Sequence, residues 1–124
     1  MRRLKPSESQ IQKSIVDYLE AMIPNIFLFA VPNAAKRKKG GRAGNAVPGL
    51  RPGVPDLCFI WGIRTFFLEV KRPGEKLSDA QRGVHCEMLR LQIKVATVES
   101  IDDVRAALRA WNVPTRESEE TGHG

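Results

Sequence analysis

Long apolar runs are missing from this chain: nowhere do hydrophobic residues continue for the roughly 18 positions that a membrane-spanning helix needs. The opening Met1-Arg2-Arg3-Leu4-Lys5-Pro6 passes directly into a polar helical pattern, so the apolar stretch of a secretory signal peptide is absent as well. Cysteine is scarce. Cys58 and Cys86 are the whole complement, too few for a disulfide framework, and a reducing cytoplasm is the expected compartment. With His85 and His123 they show no zinc-ligand spacing, and the neighbours His85 and Cys86 point apart on a helix. Cys58 reads as a small strand hydrophobe and His85 as an exposed histidine, although it follows Gln81 by one turn. Trp61 and Trp111 read as core or interface residues. No glycine-rich loop of the nucleotide-binding kind occurs, internal repeats are absent, and no organic cofactor is expected.

Acid is missing from one segment in particular. Between Asn33 and Pro55 there is no Asp or Glu, while Lys36, Arg37, Lys38, Lys39, Arg42 and Arg51 all fall there. The formal net charge is +6, with a pI near 9.7, so these residues carry the entire excess. A basic patch confined to one loop points to a polyanion, and nucleic acid is the expected partner. The plain alternative is a solvated loop with no partner.

What is present fits one domain. The chain has 124 residues, 42% of them hydrophobic, enough for a single core. Ser7 opens a helix with Gln10 completing a capping box, and Ile11, Ile15, Tyr18, Leu19 and Met22 recur at helical spacing until Pro24. Glu8 falls on that inward stripe, an unusual place for a carboxylate, although a helix N-terminus favours negative charge. Ile26–Val31 reads as a strand, and residues 34–53 as a basic loop rich in Gly and Pro. Two further strands, Asp56–Trp61 and Arg64–Lys71, flank Gly62-Ile63, where glycine at the first central position suits a type II′ hairpin turn. Ser78 caps a second helix, with Gln81 as its capping-box partner and Ala80, Val84, Met88 and Leu91 as its apolar stripe. Lys94–Val98 is a fourth strand, and Ser100 starts a last helix bearing Ile101, Val104, Ala107, Leu108 and Trp111. The expectation is an α/β domain over residues 1–114, in the order αβββαβα with a mixed four-stranded sheet covered by helices. Residues 115–124 are expected to form a disordered polar tail.

The hairpin carries the chemistry. With Trp61 opposite Arg64, stepping outward brings Asp56 opposite Glu69. Directly opposed like charges on strands are destabilising, and the neighbouring Leu57, Phe59, Phe67 and Leu68 make the setting apolar. A cation between the two carboxylates relieves the conflict, and hard oxygen ligands favour Mg²⁺ or Mn²⁺ over zinc. Strand alternation puts Lys71 on the same face as Glu69. Two carboxylates, a divalent cation and a lysine suit phosphodiester hydrolysis: the metal activates phosphoryl oxygen and water, and the lysine orients the water or neutralises developing charge. The bland reading is a surface ion pair of Glu69 with Lys71 and a turn aspartate at position 56.

At these residues the sequence resembles a known family. Pro55-Asp56 followed by Glu69-Val70-Lys71 is similar to the PD-(D/E)XK nuclease signature. With Gly53-Val54-Pro55-Asp56-Leu57, Phe67-Leu68-Glu69-Val70-Lys71, Leu77-Ser78-Asp79-Ala80-Gln81 and Glu8 on an opening helix, it resembles the VRR-NUC (virus-type replication–repair nuclease) branch from about Glu8 to Trp111. The resemblance implies a restriction-endonuclease-like αβββαβ core plus a C-terminal helix. It implies that Asp56, Glu69 and the Val70 carbonyl hold the metal, that Glu8 completes the site directly or through water, and that Lys71 is the catalytic lysine. Gln81 would orient Lys71 or touch the phosphate, with pure helix capping as its alternative. The implied activity is endonucleolytic, on branched DNA such as four-way junctions or flaps, in phage or prophage replication or repair. A two-fold homodimer is expected, since one small domain carries one site and paired incisions need two. One departure is Gln92, where many relatives end the helix with glycine. Two other readings stay open: a non-catalytic DNA-binding module with the same fold, and a partner-binding protein that leaves the basic loop unexplained.

Overall fold

In a computed structural model of the chain, described over residues 5–32 and 47–121, the elements are α1 (Glu8–Met22), β1 (Phe27–Ala30), β2 (Leu57–Trp61), β3 (Arg64–Val70), α2 (Asp79–Arg90), β4 (Lys94–Val98), α3 (Ile101–Ala110) and α4 (Arg116–Thr121). The order is the expected one with a short helix added. The strands form one sheet, β1-β2-β3-β4. β1, β2 and β3 are antiparallel neighbours, and β4 lies parallel to β3 after the crossover through α2. The expected α/β class with a mixed, helix-flanked sheet is what is seen. No helix among the described residues is long and apolar enough to cross a membrane.

The β2–β3 register is also the one expected, from Trp61 opposite Arg64 to Leu57 opposite Leu68. Gly62 takes φ 64° while Ile63 keeps a negative φ, the combination of a type II′ turn. Alternation then separates the two faces of the sheet. Leu57, Phe59, Phe66, Leu68 and Val70 turn to one side, where α1 sets Ile11, Ile15 and Leu19 against them and α3 sets Val104 and Leu108. Stacking of Phe59 on Phe66, with ring centroids 4.8 Å apart, and of Phe66 on Trp111 at 5.0 Å fills the far end of this core. The opposite face holds Cys58 and Glu69, and α2 covers part of it with Val84 and His85.

Local signals set the helix ends. Ser7 and Ser78 both form the expected capping boxes, with Gln10 and Gln81. The last turn of α2 closes in a Schellman arrangement, with Ile93 N–H donating to the Met88 carbonyl at 2.9 Å and Gln92 N–H to that of Leu89 at 2.9 Å. Gln92 occupies the left-handed position of that motif, at φ 63°. An L-residue with a side chain is held there at a cost of about 1 kcal/mol that glycine avoids. Gln92→Gly should therefore raise unfolding stability by up to about 1 kcal/mol, net of the entropy glycine adds to the unfolded chain. Chemical denaturation with an unchanged m-value checks it, and a variant less stable than the parent contradicts it.

Two expectations are corrected. The inward stripe of α2 is Gln81, Val84, His85 and Met88, whereas Ala80 is exposed and Leu91 is 68% exposed. Counting apolar residues alone rotated the helix, because its buried face carries two polar side chains. The polar tail is not structureless as far as Thr121. Thr115 and Ser118 cap α4 reciprocally, and Glu117 accepts from Arg105 at 3.0 and 3.1 Å and from the Tyr18 hydroxyl. Charge-assisted bonds to a fixed guanidinium order a segment that lacks apolar residues.

Candidate active site

Asp56 precedes β2 and continues its register. Its carbonyl accepts from Val31 N–H at 2.8 Å, which ties it to the end of β1, and its Oδ2 accepts from Val70 N–H at 2.8 Å. The side chain is therefore anchored by the backbone of β3, one residue past Glu69. Asp56 is 5% exposed and Glu69 1%. Asp56 is close enough to perturb the Glu69 carboxyl. Burial pushes the Glu69 carboxyl up to about 7; the bond to His85 opposes that rise, and the hydrogen bond and charge of Asp56 add to it. The expected apposition of Asp56 and Glu69 is thus present, in a buried setting.

α2 meets Glu69 from above the sheet. Gln81 Nε2 donates to Glu69 Oε2 at 3.2 Å, and His85 Nε2 lies 3.1 Å from Oε1. Gln81 also keeps its capping role, its Oε1 accepting from Ser78 N–H at 2.9 Å. One amide thus does both jobs, and its contact is Glu69 rather than the expected Lys71. His85 is the residue that sequence reasoning misplaced. It is buried, 8% exposed, and bonded to a carboxylate. The available signal was spacing: Gln81 and His85 are four apart and share one helix face.

Lys71 extends β3, its N–H donating to the Val98 carbonyl at 3.0 Å, and its half-buried side chain leaves on the Glu69 face. Arg72 and Glu75 form a turn, with Arg72 N–H donating to Glu75 Oε1 at 2.7 Å. That bond holds the exposed Glu75 carboxyl below its usual range, with smaller help from Glu8, Lys71 and Arg72. Glu8, half-buried at the start of α1, thus reaches the Arg72–Glu75 turn. Among the described residues no group of three or more His, Cys, Asp or Glu is gathered to hold a metal ion, so Glu8 does not join Asp56 and Glu69 in such a cluster. α1 packs its apolar stripe on the opposite face of the sheet from Glu69. Arg72 Nε is buried without a hydrogen-bond partner among the described residues.

Gly53 joins the Asp56 loop to α2. Its φ is +91°, and a Cβ there would lie 2.5 Å from the Ala80 carbonyl oxygen and 3.0 Å from Gln81 N. Only glycine lets the backbone before Asp56 rest on the helix start that carries Gln81. Of the basic loop, Arg51 pairs with Glu87 at 2.6 Å. Lys36, Arg37, Lys38, Lys39 and Arg42 lie outside the described residues.

The donor set suits a particular kind of ion. Two adjacent carboxylates offer hard oxygens, and Mg²⁺ is commonly held by one or two carboxylates with water completing its shell. Among the described residues neither Cys58 nor Cys86 belongs to a group of three or more candidate ligands that would make a soft site. Compared with protein-family models and with characterised proteins, the chain matches none of either.

Proposed function

We propose that this protein is a Mg²⁺- or Mn²⁺-dependent DNA endonuclease of the VRR-NUC type, hydrolysing phosphodiester bonds. The observation that carries the reading is the burial of Asp56 beside Glu69, with the Glu69 carboxyl pushed up to about 7. A fold keeps two carboxylates in such a place at a cost, and the arrangement gains when a divalent cation takes up their charge. Asp56 and Glu69, helped by the Val70 carbonyl, would hold the cation, which would supply Lewis acidity toward a phosphoryl oxygen and water. Lys71 neutralises charge developing on the phosphate from the same strand face. Gln81 holds Glu69 in place, and Glu8 acts from the rim.

The partner in this reading is DNA. Lys36, Arg37, Lys38, Lys39, Arg42 and Arg51 give the phosphate backbone its counter-charge. Arg72, the residue after Lys71, adds a buried donor whose Nε has no hydrogen-bond partner among the described residues. Branched DNA, such as a four-way junction or a flap, is the proposed substrate, in phage or prophage replication or repair within the host cytoplasm. A homodimer would present two sites for paired cuts.

The test uses end-labelled linear, flapped and four-way DNA with Mg²⁺, Mn²⁺ or a chelator. Cleavage with either metal and none with chelator is expected, branched substrates being cut first, by a protein of dimeric mass in light scattering. Tight binding with no cut under any metal would instead favour a DNA-binding module that keeps the fold.

A further inference from the structure

We infer that His85 is a positioning residue for metal binding: its imidazole Nε2 fixes the Glu69 carboxylate in the orientation that receives the cation. The inference rests on the metal-dependent reading above. Both oxygens of Glu69 are held from α2, Oε1 by His85 at 3.1 Å and Oε2 by Gln81 at 3.2 Å. The two donors sit one helical turn apart, so a single rigid element grips the carboxylate at both ends and stops its rotation. Each carboxylate oxygen has a second lone pair beyond the one that α2 engages, and the Asp56 carboxyl is close enough to act on Glu69. Asp56 is held independently, by Val70 N–H at 2.8 Å. The two carboxylates are therefore set in place by different parts of the fold, one by a strand backbone and one by a helix.

Burial gives the His85 contact its weight. The ring is 8% exposed, and Glu69 Oε1 is the hydrogen-bond partner found for its Nε2. A buried polar ring without a partner destabilises a fold, so packing alone would favour an apolar residue at this position. Second-sphere partners that orient ligating carboxylates typically change metal affinity about 10- to 100-fold when removed. His85 fits that role because it touches the ligand and completes no cluster of three candidate ligands itself.

The test is Mn²⁺ binding to the full chain without nucleic acid, by titration calorimetry. His85→Leu keeps bulk and removes the donor; His85→Gln keeps a donor where imidazole Nε2 sits. The parent should bind Mn²⁺, His85→Leu should bind it at least about tenfold more weakly, and His85→Gln should return to within about threefold of the parent. Parent-like affinity in His85→Leu overturns the role of His85 and leaves the nuclease reading standing. Equal weakening in both variants also overturns it, since ring packing would then be what matters. A parent that binds no Mn²⁺ overturns the metal-dependent reading and this inference with it. A second measurement needs no variant. In ¹⁵N-labelled parent protein, saturating Mg²⁺ should shift the His85 ring nitrogen resonances, and unchanged resonances overturn the inference.

Discussion

Glu69→Gln should abolish cleavage and remove most of the Mg²⁺-induced rise in melting temperature, whereas Lys71→Met should abolish cleavage and leave that rise intact. The contrast follows from what each side chain does at the site. Glu69 is buried against Asp56; in the proposed reaction it would supply ligand oxygen, while Lys71 would supply charge to the phosphate. A ligand bound only by the folded state stabilises it by mass action, about 2.7 kcal/mol at 100 times its Kd. For a domain of this size that is on the order of 10 °C. Asp56→Asn should resemble Glu69→Gln in losing activity and metal response. Its amide oxygen can still accept from Val70 N–H, so the metal-free variant should be at least as stable as the parent. The sign of the pH dependence adds an independent check. Glu69 is raised from 4.5 to about 7 in the folded state, so between those values the folded protein holds a proton that the unfolded chain has released. Its contribution to metal-free stability therefore falls as pH rises through that window and is constant above it. Glu69→Gln should remove that slope. A metal-free Asp56→Asn protein melting well below the parent, with the parent unresponsive to Mg²⁺, would make the aspartate a structural turn residue and the metal placement wrong.

How much of this was legible beforehand depended on what kind of force sets each feature. The hairpin register was readable because a two-residue turn with Gly62 at its first central position leaves no freedom, and every cross-strand pair from Trp61–Arg64 outward follows. The apposition of Asp56 with Glu69 came with it. The rotation of α2 was not readable from hydrophobicity, because Gln81 and His85 turn inward for a reason outside the helix, a buried carboxylate on the neighbouring strand. A buried acid announced by the register demands partners, and the inward-facing polar residues at i and i+4 on the next helix were the place to look. For Glu8, helical spacing gave the inward face of α1, where it is half-buried, but not its neighbour, the Arg72–Glu75 turn, which the chain reaches only after β3. The tail misled in the same way, since Arg105 and Tyr18, the groups that order Glu117, lie far from it in sequence.

Gly53→Ala should be the most damaging single-methyl change among the described glycines. Two independent costs meet there. The φ of +91° is a conformation that side-chain-bearing residues resist, worth about 1–2 kcal/mol. The new Cβ would also stand 2.5 Å from the Ala80 carbonyl oxygen and 2.6 Å from its carbonyl carbon, both backbone atoms at the start of α2. Relief requires moving either the loop before Asp56 or the helix start, and overpacking of that kind typically adds about 1–3 kcal/mol. The loop cannot move freely, because Asp56 is pinned by Val31 and Val70. The helix start therefore shifts, and Gln81 and His85 shift with it relative to Glu69. Gly62→Ala is the matched control: its φ is +64°, but a Cβ there meets nothing within 4 Å, so only the conformational cost applies. Gly53→Ala should lower stability by about 2–5 kcal/mol against about 1–2 kcal/mol for Gly62→Ala. It should also weaken Mn²⁺ binding, which Gly62→Ala leaves unchanged. Denaturant melts of both variants, with Mn²⁺ titrations at a temperature where each is folded, decide the matter. Equal destabilisation of the two would mean that the contact with Ala80 relaxes without cost, and unchanged Mn²⁺ affinity in Gly53→Ala would mean that α2 can move without carrying Glu69's partners away.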